Sequence, residues 1–263
     1  MKSIMSVGNK FFDKITPIDL VNMIKTSKYT KGVELFINID KKNEMKYLED
    51  IVPLLKNNGL AMQIHGNVEL KFEEQVKFMK ILEKYSDFLE APIIVTLHTI
   101  FNKDLDISIK KSVEYLSDLT RQIDNSKVVI ALENLNSVKN LTRLSKEQIR
   151  PIVLNNEDLY FTYDVGHSIV DYDGITNLDK FMIEQMRNVH LHTCDRLGQD
   201  HRPIYKNDSR WNDIIKALLF LKNNKYQYNI TFEYDLYACK GETIKEKIND
   251  YLTSIDYISE RFN

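Results

Sequence analysis

The chain of 263 residues carries 36 Lys and Arg against 38 Asp and Glu, a formal net charge of −2, and 43% of its residues are hydrophobic. The hydrophobic content excludes a disordered chain. The near-zero net charge argues against general electrostatic binding to nucleic acid or to anionic membranes. Two cysteines, Cys194 and Cys239, are too few for a disulfide scaffold and are typical of a reducing cytosol. The first residues lack the apolar stretch of a signal peptide, and no run of about 18 apolar residues exists, so we expect a cytoplasmic protein without a membrane partner.

Apolar runs rich in β-branched residues alternate with longer stretches of helical periodicity. The predicted strands are Ile4–Gly8, Val33–Ile37, Leu60–His65, Pro92–His98, Val128–Glu133, Leu159–Asp164, Val189–Thr193 and Asn229–Glu233. Predicted helices lie between and after them, near 17–28, 43–57, 71–88, 106–124, 144–155, 176–187, 211–223 and 241–260. The units repeat about every 33 residues with no linker, which predicts one α/β domain over 1–263, a closed (β/α)8 TIM barrel of parallel strands. An open doubly wound sheet is the alternative, but Ser6-Val7-Gly8-Asn9-Lys10 lacks the G-x-G-x-x-G turn of its nucleotide-binding form.

From the third predicted strand to the eighth, every strand ends on a histidine or a carboxylate. These residues are His65, His98, Glu133, Asp164, His192 and Glu233. Positions one repeat apart converge at the C-terminal face of a barrel, where such folds carry their chemistry. A single such residue usually caps a strand or forms a salt bridge, but six in register predict a divalent-metal site. Imidazoles with carboxylates suit zinc or manganese, as one or two ions.

Other histidines fall close to these strand ends. Two residues before each end, alternation places His190 and its counterparts Gln63, Thr96, Ala131, Thr162 and Thr231 inside the barrel. His190 is therefore expected to support the site from a second layer or to contact substrate. His167 and His201 lie in predicted loops, where each is either a ligand or a supporting residue. The loop 196–210 is the basic stretch of the chain, and Arg196 and Arg202 either are solvated or anchor a substrate hydroxyl or phosphate.

The strand endings Ala131-Leu132-Glu133-Asn134, Tyr163-Asp164-Val165-Gly166-His167 and His190-Leu191-His192-Thr193-Cys194-Asp195 occur in the order and spacing of a known family. Together with Gln63-Ile64-His65, Thr96-Leu97-His98 and Thr231-Phe232-Glu233, they resemble the xylose isomerase-like TIM-barrel superfamily over about residues 4–258. That superfamily includes sugar-phosphate isomerases and epimerases, ketose 3-epimerases and the endonuclease IV class of abasic-site nucleases.

The resemblance implies roles for most of these residues. Glu133, Asp164, His192 and Glu233 match the metal ligands of the ketose epimerases, in which the two glutamates also move the proton. His65 and His98 match further zinc ligands of the nuclease class, and His167 and His201 match ligands of its third zinc. Where that class has an Asp, this chain has Gln199, so a third metal would need Asp200 instead. Asp195 and Asp200 are further candidates for a third metal or for substrate.

We therefore expect a metal-dependent isomerase or epimerase acting on a small sugar or sugar derivative by proton abstraction next to a carbonyl. Glu133 and Glu233 would act as base and acid, and Asp164 and His192 would fix the metal. The alternative is an endonuclease IV-like zinc phosphodiesterase that cleaves DNA at abasic sites, the one case in which nucleic acid is the partner. It ranks second mainly because a net charge of −2 is not typical of a protein that holds duplex DNA, and also because the loops after His65 and His98 are short and poorly basic. A barrel that binds metal or ligand without catalysis is a third class, and monomer and homo-oligomer remain open.

Overall fold

The computed structural model describes residues 1–66, 71–135, 144–171, 175–194 and 199–262. Its strands form a closed barrel in the order of the chain, and every neighbouring pair is parallel. The strands are β1 (Lys2–Val7), β2 (Thr30–Phe36), β3 (Ala61–His65), β4 (Ile93–Leu97), β5 (Val128–Glu133), β6 (Leu159–Asp164), β7 (Met186–Leu191) and β8 (Asn229–Phe232). The predicted (β/α)8 TIM barrel is confirmed.

Helices cover the outside of the barrel and follow the strands in sequence. Within the described ranges they are α1 (Pro17–Ile24), α2 (Lys42–Asn57), α3 (Phe72–Leu89), α4 (Leu105–Gln122), α5 (Lys146–Leu154), α6 (Val165–Val170), α7 (Lys180–Gln185), α8 (Trp211–Asn223) and α9 (Ile244–Phe262). Short 3-10 turns follow β1 at Asn9–Phe11 and β8 at Leu236–Ala238. Among these described helices, none has the length and apolarity needed to cross a bilayer.

The predicted bounds of β5 and β6 are confirmed, whereas those of the other strands shift by one to three residues at one or both ends. Strand pairing explains the larger shifts. β1 begins at Lys2, earlier than predicted, because Lys2 pairs with Asn229 and Ser3 with Thr30. β7 begins at Met186 because that residue pairs with Phe161. Polar residues at the start of a strand are invisible to a hydrophobicity pattern, yet their backbone groups complete the parallel ladder.

The apolar core lies between the barrel and its helices. The residues directly before the strand-end donors face outward into it and are all buried: Ile64, Leu97, Leu132, Tyr163, Leu191 and Phe232. The alternation predicted for the barrel is therefore confirmed, since the intervening positions turn polar side chains inward. Inside the barrel, Thr96 and Thr162 lie 3.0 Å apart between their hydroxyl oxygens, and Thr231 donates to Gln63 at 2.8 Å.

Candidate metal centre

All six strand-end residues meet at the C-terminal end of the barrel. His65, Glu133 and Asp164 are the last residues of β3, β5 and β6, while the other three follow β4, β7 and β8 directly: His98, His192 and Glu233. Five of the six are buried, and the His98 side chain is 37% exposed. The convergence predicted from one-repeat spacing is what the barrel produces.

Glu133 lies at the centre of the first donor group. Its Oε2 is 3.2 Å from Nε2 of His65 and 3.0 Å from Nε2 of His98. One atom from each of these three residues falls within 4.8 Å of the others, a spacing that can hold an ion. Burial by itself would raise the pKa of Glu133, but the surrounding imidazoles, His190 first, hold that pKa well below its usual range.

A second donor group shares Glu133 and reaches across the barrel. Donor atoms of Glu133, Asp164, His190 and Glu233 all lie within 4.8 Å of one another. His192 joins this group through Nε2, which is 3.2 Å from Oδ2 of Asp164. The carboxylates of β5, β6 and β8 thus face one small volume.

The turn after β6 fixes Asp164 and His192 together. Asp164 is the N-cap of α6, and its Oδ1 accepts a hydrogen bond from the backbone N–H of His167 at 2.6 Å. Gly166 lies in the same turn, two residues after Asp164. A Cβ atom built on Gly166 would collide with the His192 ring. Only glycine therefore lets the first turn of α6 pack against that imidazole.

His167 and His201 form a third group with His192. Each offers a ring nitrogen within 4.8 Å of the others, and the His192 and His201 rings stack with centroids 4.4 Å apart. His167 lies in α6, so the prediction of a loop at this position is wrong. A helix forms here because Asp164 caps it at its N-terminus, although its first residue is the β-branched Val165. Nδ1 of His167 is 2.9 Å from the carbonyl oxygen of Asn134.

Asp200 lies beside the third group. Its Oδ1 is 3.0 Å from Nδ1 of His201 and its Oδ2 is 3.8 Å from Nε2 of His167. Burial lowers the pKa of His201, but Glu233 and Asp200 outweigh it and raise that pKa to about 11. Asp200 therefore supplies an acidic side chain next to His167 and His201, which the nuclease-class pattern would place at the position of Gln199.

Three further predicted site residues, Asp195, Arg196 and Arg202, do not join the donor groups among the described residues. Asp195 and Arg196, like the predicted loop segment 67–70, lie outside the described residues. Arg202 pairs its backbone with Thr193, and its side chain lines a cavity of about 210 Å³ between the loops after β7 and β8, with Cys194, Tyr205, Asp208 and Ser209. None of the donor groups borders that cavity.

A different cavity, of about 330 Å³, reaches the donors. It is lined by Ser6, Gly8, Asn9, Lys10, Phe11, Phe36, Asp200, His201, Glu233, Tyr234 and Asp235. The ring of Phe36 stacks on His65, with centroids 4.0 Å apart. Phe36 and Glu233 thus line the same cavity.

Sequence reasoning missed Glu34, which lies in the middle of β2. Its side chain is fully buried, and its Oε2 is 3.2 Å from Nε2 of His190 and accepts from the Asn188 amide at 3.2 Å. The available signal was a lone carboxylate in the apolar run Val33–Ile37, two residues before Phe36.

Asn134 follows Glu133 in the sequence, and sequence analysis gave it no role. Its side chain accepts from the backbone N–H of Asp164 at 2.8 Å and donates to the backbone carbonyl of Asp164 at 3.0 Å. These two hydrogen bonds connect the ends of β5 and β6.

Solved structures share this architecture from end to end. D-psicose 3-epimerase from Clostridium cellulolyticum H10, solved with D-tagatose, superposes with a TM-score of 0.74 at 12% identity, covering 100% of this chain and 99% of that one. The chain therefore shares the (β/α)8 barrel fold of that enzyme. A xylose isomerase domain protein from Alicyclobacillus acidocaldarius gives 0.71 at 11% identity, covering 99% and 97%. A 3-keto-D-glucoside 4-epimerase from E. coli gives 0.70 at 15%, covering 97% and 98%.

No protein-family model and no curated protein matches the chain in sequence. At these identities the structural matches establish the fold, so the chemistry has to be argued from the residues of the site.

Proposed function

We propose that this protein is a divalent-metal-dependent isomerase or epimerase of a small sugar or sugar derivative. The observation that carries the proposal is the placement of Glu133 and Glu233, which project from the ends of β5 and β8, three strands apart in the barrel, into one volume shared with Asp164. The cavity beside Glu233 is of small-molecule size. Structural neighbours named as epimerases of D-psicose and of a 3-keto-D-glucoside support the same reaction class.

The donor chemistry fits a metal. Three buried carboxylates around one volume repel one another, and a dication removes that cost. Two sites follow from the groups: His65 and His98 with Glu133 at one, and Asp164, His192 and Glu233 with Glu133 at the other. This set of nitrogen and oxygen donors suits zinc or manganese. His167, His201 and Asp200 supply a candidate third site.

In this proposal the residues of the site have separate roles in metal binding and proton transfer. A bound dication would polarise a substrate carbonyl and its neighbouring hydroxyl, which acidifies the intervening C–H. Glu133 or Glu233 removes that proton from one face, and the other carboxylate returns a proton to the opposite face. Asp164 and His192 would fix the metal, while His201, which is partly exposed and lines the cavity beside Glu233, is the imidazole placed to reach substrate oxygens.

Isotope exchange tests this proposal without knowledge of the natural substrate. Protein reconstituted with manganese or zinc is incubated in D2O with a panel of ketopentoses, ketohexoses and their phosphates. We expect deuterium at the carbon next to the carbonyl of at least one sugar, and loss of that exchange after chelation. Absence of exchange from every sugar, with metal bound, would contradict the proposal.

The donor group of His65, His98 and Glu133 favours one second candidate, zinc-dependent cleavage of abasic DNA. A carboxylate shared between two metal sites is the arrangement that two-metal phosphodiesterases use to clamp attacking and leaving oxygens. Nicking of a duplex with one abasic site, abolished by chelation, would establish it. No binding to that duplex at low salt would remove it.

A further inference from the structure

The two carboxylates assigned to proton transfer are held in different ways. Each oxygen of Glu133 lies within 3.2 Å of a histidine ring nitrogen in hydrogen-bond geometry. Oε2 of Glu233, by contrast, has no hydrogen-bond partner among the described residues, and its Oε1 is 3.5 Å from Nε2 of His201. Nδ1 of His190 comes within 2.9 Å of that Oε2, but the contact lacks hydrogen-bond geometry. The direction of the Glu233 side chain therefore depends on the backbone from which it projects.

One side chain from the outer helix α9 bonds the backbone on both sides of Glu233. The hydroxyl of Tyr251 donates to the carbonyl oxygen of Phe232, the residue before this glutamate. It also accepts from the backbone N–H of Tyr234, the residue after the glutamate, at 3.0 Å. Tyr251 is fully buried. A single oxygen atom thus clamps the short segment that carries the carboxylate.

The same hydroxyl reaches across the seam between β8 and β1. Its oxygen is 3.1 Å from the carbonyl oxygen of Ser6, which shares the single hydroxyl hydrogen with the carbonyl of Phe232. The parallel pairing of β1 with β8 ends at Met5 and Phe232, one residue before Ser6. Tyr251 therefore connects the two strands beyond their last backbone pair. Ser6 and Glu233 line the same cavity, so this connection lies directly behind the cavity wall.

Packing alone does not require a hydroxyl at position 251. Tyr251 lies on the buried face of α9, about one turn from Ile248 and Ile255, and its ring packs against Tyr234 with centroids 4.6 Å apart. A phenylalanine ring would make the same contacts. The space beside the ring is a cavity of about 10 Å³ with a mainly apolar lining. In such surroundings the hydroxyl serves the backbone groups that it bonds, because buried polar groups without partners are costly.

We propose that Tyr251 is a positioning residue for the sugar reaction, which fixes the backbone at Glu233 so that its carboxylate stays directed into the volume shared with Glu133 and Asp164. Tyr251 acts through Glu233 and is not among the described residues that line the cavity. Misplacement of a reacting group by about 1 Å lowers a rate by up to about a hundredfold. The kinetic part of this proposal rests on the proposed function, whereas the clamp on the Glu233 backbone does not.

The test compares Tyr251→Phe with Tyr226→Phe, which removes a matched hydroxyl at the other end of β8. Tyr226 is also buried, and its hydroxyl donates to the carbonyl oxygen of Asn229 at 2.7 Å. At saturating zinc or manganese, we expect Tyr251→Phe to lower kcat about tenfold with KM changed less than about threefold, the usual scale of residues that orient a ligating side chain. Tyr226→Phe should leave both constants within about twofold. Equal losses of kcat in the two variants would overturn the proposal.

Hydrogen exchange of the backbone amides, followed by NMR on the zinc-reconstituted protein, gives a second readout that needs no substrate. We expect Tyr251→Phe to accelerate exchange at the Tyr234 amide by about tenfold or more, because that N–H loses its acceptor. The Ile230 amide near the start of β8 should keep its native rate, and Tyr226→Phe should leave the Tyr234 amide unchanged. Should Tyr251→Phe fail to fold, the native protein still tests the clamp. Protection of its Tyr234 amide supports the clamp, and free exchange there would overturn it.

The two readouts separate the failures. If no sugar is turned over but exchange at Tyr234 accelerates in Tyr251→Phe alone, the sugar reaction is wrong, the kinetic part falls with it and the clamp stands. If the Tyr234 amide keeps its native rate in Tyr251→Phe, the clamp is wrong whatever happens to kcat. If exchange accelerates while kcat stays native, the clamp exists but does not position Glu233, and the proposal also fails.

Discussion

Two layers of polar side chains lie inside this barrel, and they are built in opposite ways. The upper ring consists of the six strand-end residues His65, His98, Glu133, Asp164, His192 and Glu233, whose donor atoms face one another. The lower layer consists of Gln63, Thr96, Thr162 and Thr231, which are neutral and bond within the barrel interior. The difference teaches that the upper ring collects the donor types that a cation needs, while the lower layer is a floor of neutral side chains that bond mainly to one another. Glu34 and His190 connect the two layers, with Oε2 of Glu34 3.2 Å from Nε2 of His190.

The largest expected effect comes from removing a proton-transferring group. Glu133→Gln or Glu233→Gln should lower isotope exchange at the substrate carbon by about 10²–10⁴, because general acid–base catalysis is worth that much. Deuterium incorporation measured by NMR checks this. Glu157→Gln, at an exposed carboxylate, is the control and should leave the rate unchanged. Exchange at the native rate in both active-site variants would show that the upper ring does not move protons.

The next effect concerns metal number. If the chain binds two ions, His65→Gln should remove one of them, because Nε2 of His65 lies 3.2 Å from Oε2 of Glu133 in the group that these two residues form with His98. The loss in affinity at that site should exceed about tenfold. Metal analysis after gel filtration gives the stoichiometry. An unchanged count would place His65 outside the coordination sphere.

Gly166→Ala should weaken the metal centre through geometry alone. The added methyl group collides with the His192 ring, so either the ring or the start of α6 has to move. Overpacking of this kind costs about 1–3 kcal/mol of unfolding free energy. Chelator competition should show weaker binding at the site of Asp164 and His192. Native metal affinity in a folded Gly166→Ala protein would mean that His192 is not a ligand.

The smallest effect is expected in the lower layer. Thr162→Val removes the bond to Thr96, which is worth about 1 kcal/mol, and leaves the upper ring untouched. Urea unfolding should register that loss while metal affinity stays at the native value. A metal defect as large as that of Gly166→Ala would erase the distinction between the two layers.

The upper ring was predictable because residue type and spacing coincide there. A histidine or carboxylate at each strand end, one repeat apart, has a single meaning in a parallel barrel, as His65, Glu133 and Asp164 show. The fold followed from the same repeat. Asp200 was named as a candidate only because Gln199 broke the pattern, and the structure brings it next to His167 and His201.

Glu34 was not predictable by the same reasoning. It lies in mid-strand, and its partner His190 is distant in sequence, so no spacing rule connects the two. Helix α6 was missed because Val165, Ile169 and Val170 are β-branched and indicate a strand or loop, while the Asp164 cap and the close packing at Gly166 override that preference.

Metal content of the purified chain tests the central claim most directly. Elemental analysis before and after reconstitution with zinc and manganese should find about one or two ions per chain, held through gel filtration, since the upper ring offers two donor groups that share Glu133. Asp164→Asn should reduce that number. Protein that takes up no ion under either condition, while folded, would contradict the account.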